Sequence, residues 1–180
     1  MKPTILILAV AAALGAQVTR REVTNPSPNP ADDSKPNSGK VPEGFAINTN
    51  FTRIAILRFK SDTDLLVSFE KLVKQEKIRN AVILAGLGSV RSYHIHQISN
   101  RTFPTKNTFE KDPAAPADLI GMTGYVMGGR IHAHMTLANP DRAFGGHLEP
   151  GTNVFTYAIV TLGVLGDDVD LSKIDDKAYR

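Results

Sequence analysis

The chain has 180 residues, of which 42% are hydrophobic and 22% charged, and a formal net charge of +3. That length suits one domain with tails and a real core, and the composition is that of an ordinary soluble globular protein. Its basic residues are not gathered into a stripe: Lys71, Lys74 and Lys77 alternate with Glu70 and Glu76 as on a solvated helix face, which argues against a nucleic-acid surface. Cysteine is absent, so disulfides, thiolate ligands and a lipidated N-terminal cysteine are excluded.

The chain opens on Met1-Lys2-Pro3, an apolar run from Ile5 to Leu14, and the small residues Gly15 and Ala16. A basic start, a short apolar core and a small-residue exit match a secretory signal peptide over residues 1–16, predicting an exported protein, periplasmic or secreted. The run is too short to span a bilayer as a helix, so no stable membrane span is expected. Residues 17–44, with Pro26, Pro28, Pro30, Pro36 and Pro42, hold little that could be buried and read as a disordered, extended linker.

The folded domain is expected over residues 45–165. Thr52 to Phe59 alternates as a strand. Ser61-Asp62-Thr63 supplies turn and capping side chains for a helix from Asp64 to Lys77, whose Leu65, Leu66, Phe69, Leu72 and Val73 recur at helical spacing. Ala81 to Leu84 reads as a buried strand, interrupted at Gly86-Leu87-Gly88 by a bend or bulge, and Val90 to Ile98 as another. Thr102 to Asp118, with three prolines, reads as a long loop. Strands follow at Leu119 to Met127, Arg130 to Ala138 and Val154 to Leu162, with Gly128-Gly129 as a tight hairpin between the first two. Residues 166–180 read as a frayed C-terminal tail. One helix among hairpin-joined strands predicts an α+β domain with a mainly antiparallel sheet.

Chemistry gathers on the five histidines. His132 and His134 are two apart on a strand and therefore share a face, where two imidazoles can converge on one ion. After Asn139-Pro140-Asp141 the chain is positioned to double back through Gly145-Gly146 to His147, which could then come alongside the pair. Three neutral imidazoles suit Zn²⁺ or another first-row divalent metal and leave one coordination position open. The same spacing is compatible with ordinary strand histidines and a glycine turn. His94 and His96 form a second pair, read first as surface decoration, with a place beside the site or at a subunit interface as alternatives.

The run Gly129-Arg130-Ile131-His132-Ala133-His134-Met135-Thr136-Leu137, then Phe144-Gly145-Gly146-His147-Leu148 and Gly151, resembles the signature of the plants-and-prokaryotes conserved (PPC) domain. The likeness extends to Arg53 to Lys60, the helix, and Ala85-Gly86-Leu87-Gly88-Ser89-Val90, and covers roughly Phe51 to Leu162. Lys60-Ser61-Asp62 replaces a glycine of the family pattern. The resemblance implies a domain assembled as a homotrimer, a bacterial exported form here, binding metal through His132, His134 and His147. Plant members join the domain to AT-hooks that bind DNA. This chain has no Arg-Gly-Arg core of such a hook, so minor-groove binding does not carry over. Ala158 stands where many members have Glu.

Two functions follow for such a site. The metal could act as a Lewis acid on water or a carbonyl, with Glu149 and then Asp141 as the nearest candidate bases, or it could capture a small ligand without turnover. DNA binding by family association is the alternative, and it conflicts with the export signal and the scattered charge.

Overall fold

The structure, a computed structural model, describes residues 18–24, 36–172 and 174. The expected signal peptide, residues 25–35 of the expected linker and the end of the tail lie outside these. Strands are β1 (Thr19–Thr24), β2 (Phe51–Lys60), β3 (Ala81–Ile98), β4 (Lys106–Asp112), β5 (Ala117–Met127), β6 (Arg130–Ala138), β7 (Ala143–Leu148) and β8 (Asn153–Leu165). One helix, α1 (Leu65–Gln75), follows β2. All the strand pairings are antiparallel, so the α+β reading stands.

The apolar pattern of α1 explains its seat. Leu65, Phe69 and Val73 fall on one stripe, are fully buried, and pack on the sheet, with Phe69 edge-on to Phe59 at 5.7 Å. The N-cap is Asp64, whose carboxylate accepts from Val67 N at 3.1 Å. Its other oxygen accepts from Gly151 N at 2.6 Å, tying the helix start to the turn before β8. Asp62 has φ of 63°, the left-handed conformation a glycine would take most easily, at the place where the family pattern has glycine.

β3 is the spine of the sheet. Its first half lies between β5 and β8, and its second half between β4 and β7. A register shift follows Gly88, and others fall between Ile83 and Ala85 and between Val90 and Ser92, but they do not end the strand: residues 81–98 run through as one element. Since β5 pairs β6, β6 pairs β7 and β7 returns to β3, four strands close a ring of pairings. Gly128 and Gly129 both have positive φ and form the tight turn between β5 and β6.

Two segments expected to be irregular form strands. Residues expected to be a long loop include β4, and residues of the expected linker form β1, which pairs with β4 from Thr19↔Lys111 to Thr24↔Lys106. Neither strand has an apolar alternation to announce it. They are held by ladder bonds and by Glu110, which accepts from Arg20, from Tyr93 Oη at 2.7 Å and from Arg142 at 3.0 Å. The start of the expected tail also docks, with Leu171 buried against Met127 and Leu165. Among the described residues no helix is long and apolar enough to cross a membrane.

The core lies between α1 and one face of the sheet, where Ile83, Ile95, Ala133, Met135, Leu148 and Val160 point. The histidines point to the opposite face.

Candidate metal centre

Register sets one row of side chains across five strands. Phe109 on β4 is opposite His96 on β3, His96 opposite His147 on β7, His147 opposite His134 on β6, and His134 opposite Thr123 on β5. His132, two residues along β6, faces the same side one row away. The β6–β7 hairpin thus brings His147 alongside the His132–His134 pair. Two glycines permit this approach: a Cβ on Gly145 would lie 2.2 Å from Met135 O, and one on Gly146 2.5 Å from His96 O.

The ring centres of His132, His134 and His147 are separated by 5.4 Å, 5.0 Å and 5.3 Å. The Nε2 atoms of His132 and His134 are 3.3 Å apart. A tetrahedral ion with metal–nitrogen bonds of about 2.05 Å holds two ligand nitrogens about 3.3 Å apart and their ring centres about 5.2 Å apart. The three imidazoles therefore fit a first-row ion with little rearrangement. The same 3.3 Å also fits an N–H···N hydrogen bond between neutral rings. Burial, and then the neighbouring His147, His132 and His96, push the His134 imidazole below its ordinary value, which favours the neutral form a ligand requires.

Behind this trio lies a second group. His96 Nδ1 is 2.6 Å from Glu149 Oε1, and His147 Nδ1 is 3.2 Å from the same oxygen. The first is a hydrogen bond. The second is off hydrogen-bond direction, so it is an electrostatic contact, and His147 Nδ1 is a buried nitrogen without a hydrogen bond. One donor atom from each of His96, His147 and Glu149 lies within 4.8 Å of the others. Burial alone would push the Glu149 carboxyl up; His147 and His96 outweigh it and hold it at about 2.

The other candidates separate. His94 turns to Pro150 O at 2.8 Å through Nδ1 and takes no place in the trio. His96, read first as surface decoration, joins the cluster because β7 pairs with the far end of β3, a pairing that no local pattern announces. Asp141 is a turn residue, its N–H given to Asn139 Oδ1 at 3.0 Å. Ala158 is buried opposite Gly88, eight residues along β3 from His96, or about 26 Å of extended strand. A carboxylate there would not reach the histidines of its own chain. A cleft of about 530 Å³ opens beside His132 and His134, lined also by Val82, Thr123, Tyr125 and Met127.

Residues 47–166, two-thirds of the chain, match the Plants and Prokaryotes Conserved (PCC) domain. The chain belongs to that family. Its fold resembles that of the metal-containing protein of Archaeoglobus fulgidus, with 19% identity, 76% of this chain and 96% of that one covered, and a TM-score of 0.57. It also resembles a plant- and prokaryote-conserved protein of Pyrococcus horikoshii, with 22% identity, coverages of 71% and 89%, and a TM-score of 0.57. A putative DNA-binding protein of Bacteroides thetaiotaomicron aligns with 16% identity, coverages of 68% and 86%, and a TM-score of 0.52. These likenesses are of fold. Among curated proteins the chain is 23% identical over 130 residues, 71% of its length, to the bifunctional protein GlmU of Synechococcus sp. (strain JA-3-3Ab), and spans a fifth of that relative's length.

Proposed function

We propose that the chain is an exported, trimeric metal-binding protein that holds zinc, or another first-row divalent ion, on His132, His134 and His147 and offers the fourth position to a small ligand. The observation that carries this reading is the match between the three ring separations and those of imidazoles sharing one tetrahedral ion. The metal-containing protein of Archaeoglobus fulgidus, which shares the fold, supports it. With three protein ligands the ion would act as a Lewis acid toward water or a carbonyl bound at the open position. The chain's own part is to keep three imidazoles converged beside an open cleft, and to favour the neutral form of His134.

The apolar start from Ile5 to Leu14 supports export. The sheet face away from α1 supports self-association, since Ile54, Ile56, Leu87, Phe155 and Tyr157 stand exposed there, Ile56 at 70%. Elemental analysis of the purified protein beside a His132→Ala/His134→Ala variant tests the metal. One equivalent of a first-row ion in the wild type, absent from the variant, is expected, and a metal-free wild type after reconstitution with zinc would overturn the reading. Mass measured by light scattering tests the trimer.

A further inference from the structure

We propose that Glu149 is the positioning residue of this centre: it holds His147, and His96 stacked on it, by their Nδ1 edges, so that His147 presents Nε2 to the His132–His134 pair. This rests on the metal reading above.

If His147 is the third ligand, one of its ring nitrogens must face the other two histidines. Its Nδ1 is already turned elsewhere, buried and 3.2 Å from Glu149 Oε1. The two nitrogens lie on opposite edges of an imidazole, so Nε2 is the one left to meet the Nε2 atoms of His132 and His134. The ring itself is held from behind. His96 stacks on it with centres 4.5 Å apart and planes at 21°, and Phe109 packs on His96 at 4.9 Å. The carboxylate is aimed by its backbone: Glu149 N donates to His94 O at 3.1 Å, and two residues on Gly151 N is fixed by Asp64.

The rival use of the same atoms is a second ion bound directly by His96, His147 and Glu149. Two distances oppose it. His96 Nδ1 and Glu149 Oε1 are 2.6 Å apart, a hydrogen-bond length, whereas two ligand atoms on one tetrahedral ion stand about 3.3 Å apart. The near-parallel rings of His96 and His147 are also closer than the roughly 5.2 Å expected of imidazoles converging on one ion. A carboxylate behind a ligating imidazole fixes its tautomer and raises its basicity toward the ion, and loss of such a partner typically weakens metal binding by about 10–100-fold.

Two readouts on the full chain test this. Long-range ¹H–¹⁵N NMR of the metal-free protein is expected to show His147 as the Nδ1–H tautomer, and Glu149→Leu to shift it toward a mixture. Zinc titration is expected to give one equivalent for wild type and variant, with affinity about 10–100-fold lower in the variant. Glu149→Gln, which keeps an acceptor oxygen but no charge, is expected to keep the tautomer and lose part of the affinity; it serves if Glu149→Leu fails to fold. A wild-type tautomer with Nδ1 unprotonated, or an affinity unmoved by both substitutions, would overturn the proposal. So would a second equivalent of zinc that vanishes with Glu149, which would make the group a direct ion site. Failure of the metal reading shows differently, as no zinc bound by wild type, while the tautomer experiment still reports on Glu149.

Discussion

Two His-x-His pairs in this chain have the same spacing, the same strand conformation and the same face, yet only one stays a pair. His132 and His134 keep their Nε2 atoms 3.3 Å apart. His94 and His96 diverge, one to the carbonyl of Pro150 and the other to Glu149. The neighbours differ, not the pairs. β6 has β7 beside it, and the Gly145-Gly146 backbone brings a third imidazole to His134. Beside β3, the turn at residues 149–151 offers a carbonyl and a carboxylate one strand position apart, so each histidine finds its own acceptor. Spacing sets which residues share a face, and the strand alongside sets what they do there.

The sharpest way to break this comparison is to delete the first pair and, from the second, His94. Metal–ligand energies of roughly 10–16 kcal/mol shared among a few ligands imply several kcal/mol each, so His132→Ala/His134→Ala is expected to weaken zinc binding by more than about 1000-fold. His94→Ala is expected to leave it within about twofold, since that ring touches none of the three. Isothermal titration with zinc measures both, and comparable losses would show that the pairs are equivalent.

Next in size is the backbone approach that makes one pair into a trio. In Gly146→Ala the new Cβ would lie 2.5 Å from His96 O and 3.0 Å from Gln97 Cγ, and backbone cannot yield as a side-chain tip would. A cost of about 1–3 kcal/mol is expected, with a lowered Tm, together with weaker zinc binding because β7 must move off β3. An unchanged Tm would show that the hairpin has slack.

One histidine of the first pair also carries a prediction toward protons. His134 is held below its ordinary value of 6.5, chiefly by burial. The unfolded chain therefore takes up its proton first as pH falls. This contribution to stability is fully present above about 6.5 and is lost as pH drops through the folded value. In the metal-free protein, His134→Asn is expected to flatten the fall in denaturation midpoint between pH 7 and 5. An unaltered slope would place the titrating group elsewhere.

Much of this centre was legible in the sequence because its determinants are local: an alternating strand, a two-glycine hairpin turn, a second glycine pair directly before a histidine. The helix and five of the strands were legible for the same reason, through period and capping. What escaped was set by pairing at long range. β4, Lys-Asn-Thr-Phe-Glu-Lys-Asp, has a single apolar residue, Phe109, and lies between Pro104 and Pro113, so no alternation within it distinguishes strand from loop. β1 lies among linker-like residues and is a strand because β4 offers it an edge. The place of His96 depends on β7 meeting β3 some fifty residues later, and Glu149 gains its role only from that meeting. The distance of Ala158 from the histidines is likewise set by register, which places it opposite Gly88, far along β3 from His96.

The smallest expected effect concerns the end of β3 that carries the second pair. Tyr93, one residue before His94, is 3% exposed, and its hydroxyl donates to Glu110 Oε1 at 2.7 Å. Glu110 also holds Arg20 on β1 and Arg142 in the β6–β7 turn, so it ties together the strand and turn that flank the histidine face. Tyr93→Phe removes one of its donors and leaves the two guanidinium partners, for an expected loss of about 1 kcal/mol. The alkaline limb is the more telling readout. Burial first, and then Glu110, raise the Tyr93 hydroxyl to about 12 from an ordinary 10. The unfolded chain loses that proton first, so this contribution is present below pH 10 and declines as pH rises toward 12. Tyr93→Phe is expected to be less stable than wild type at pH 8 and to lose less on going from pH 10 to 12, as read from urea midpoints. If the two curves stay parallel through that range, the hydroxyl bond does not hold β4 against β3.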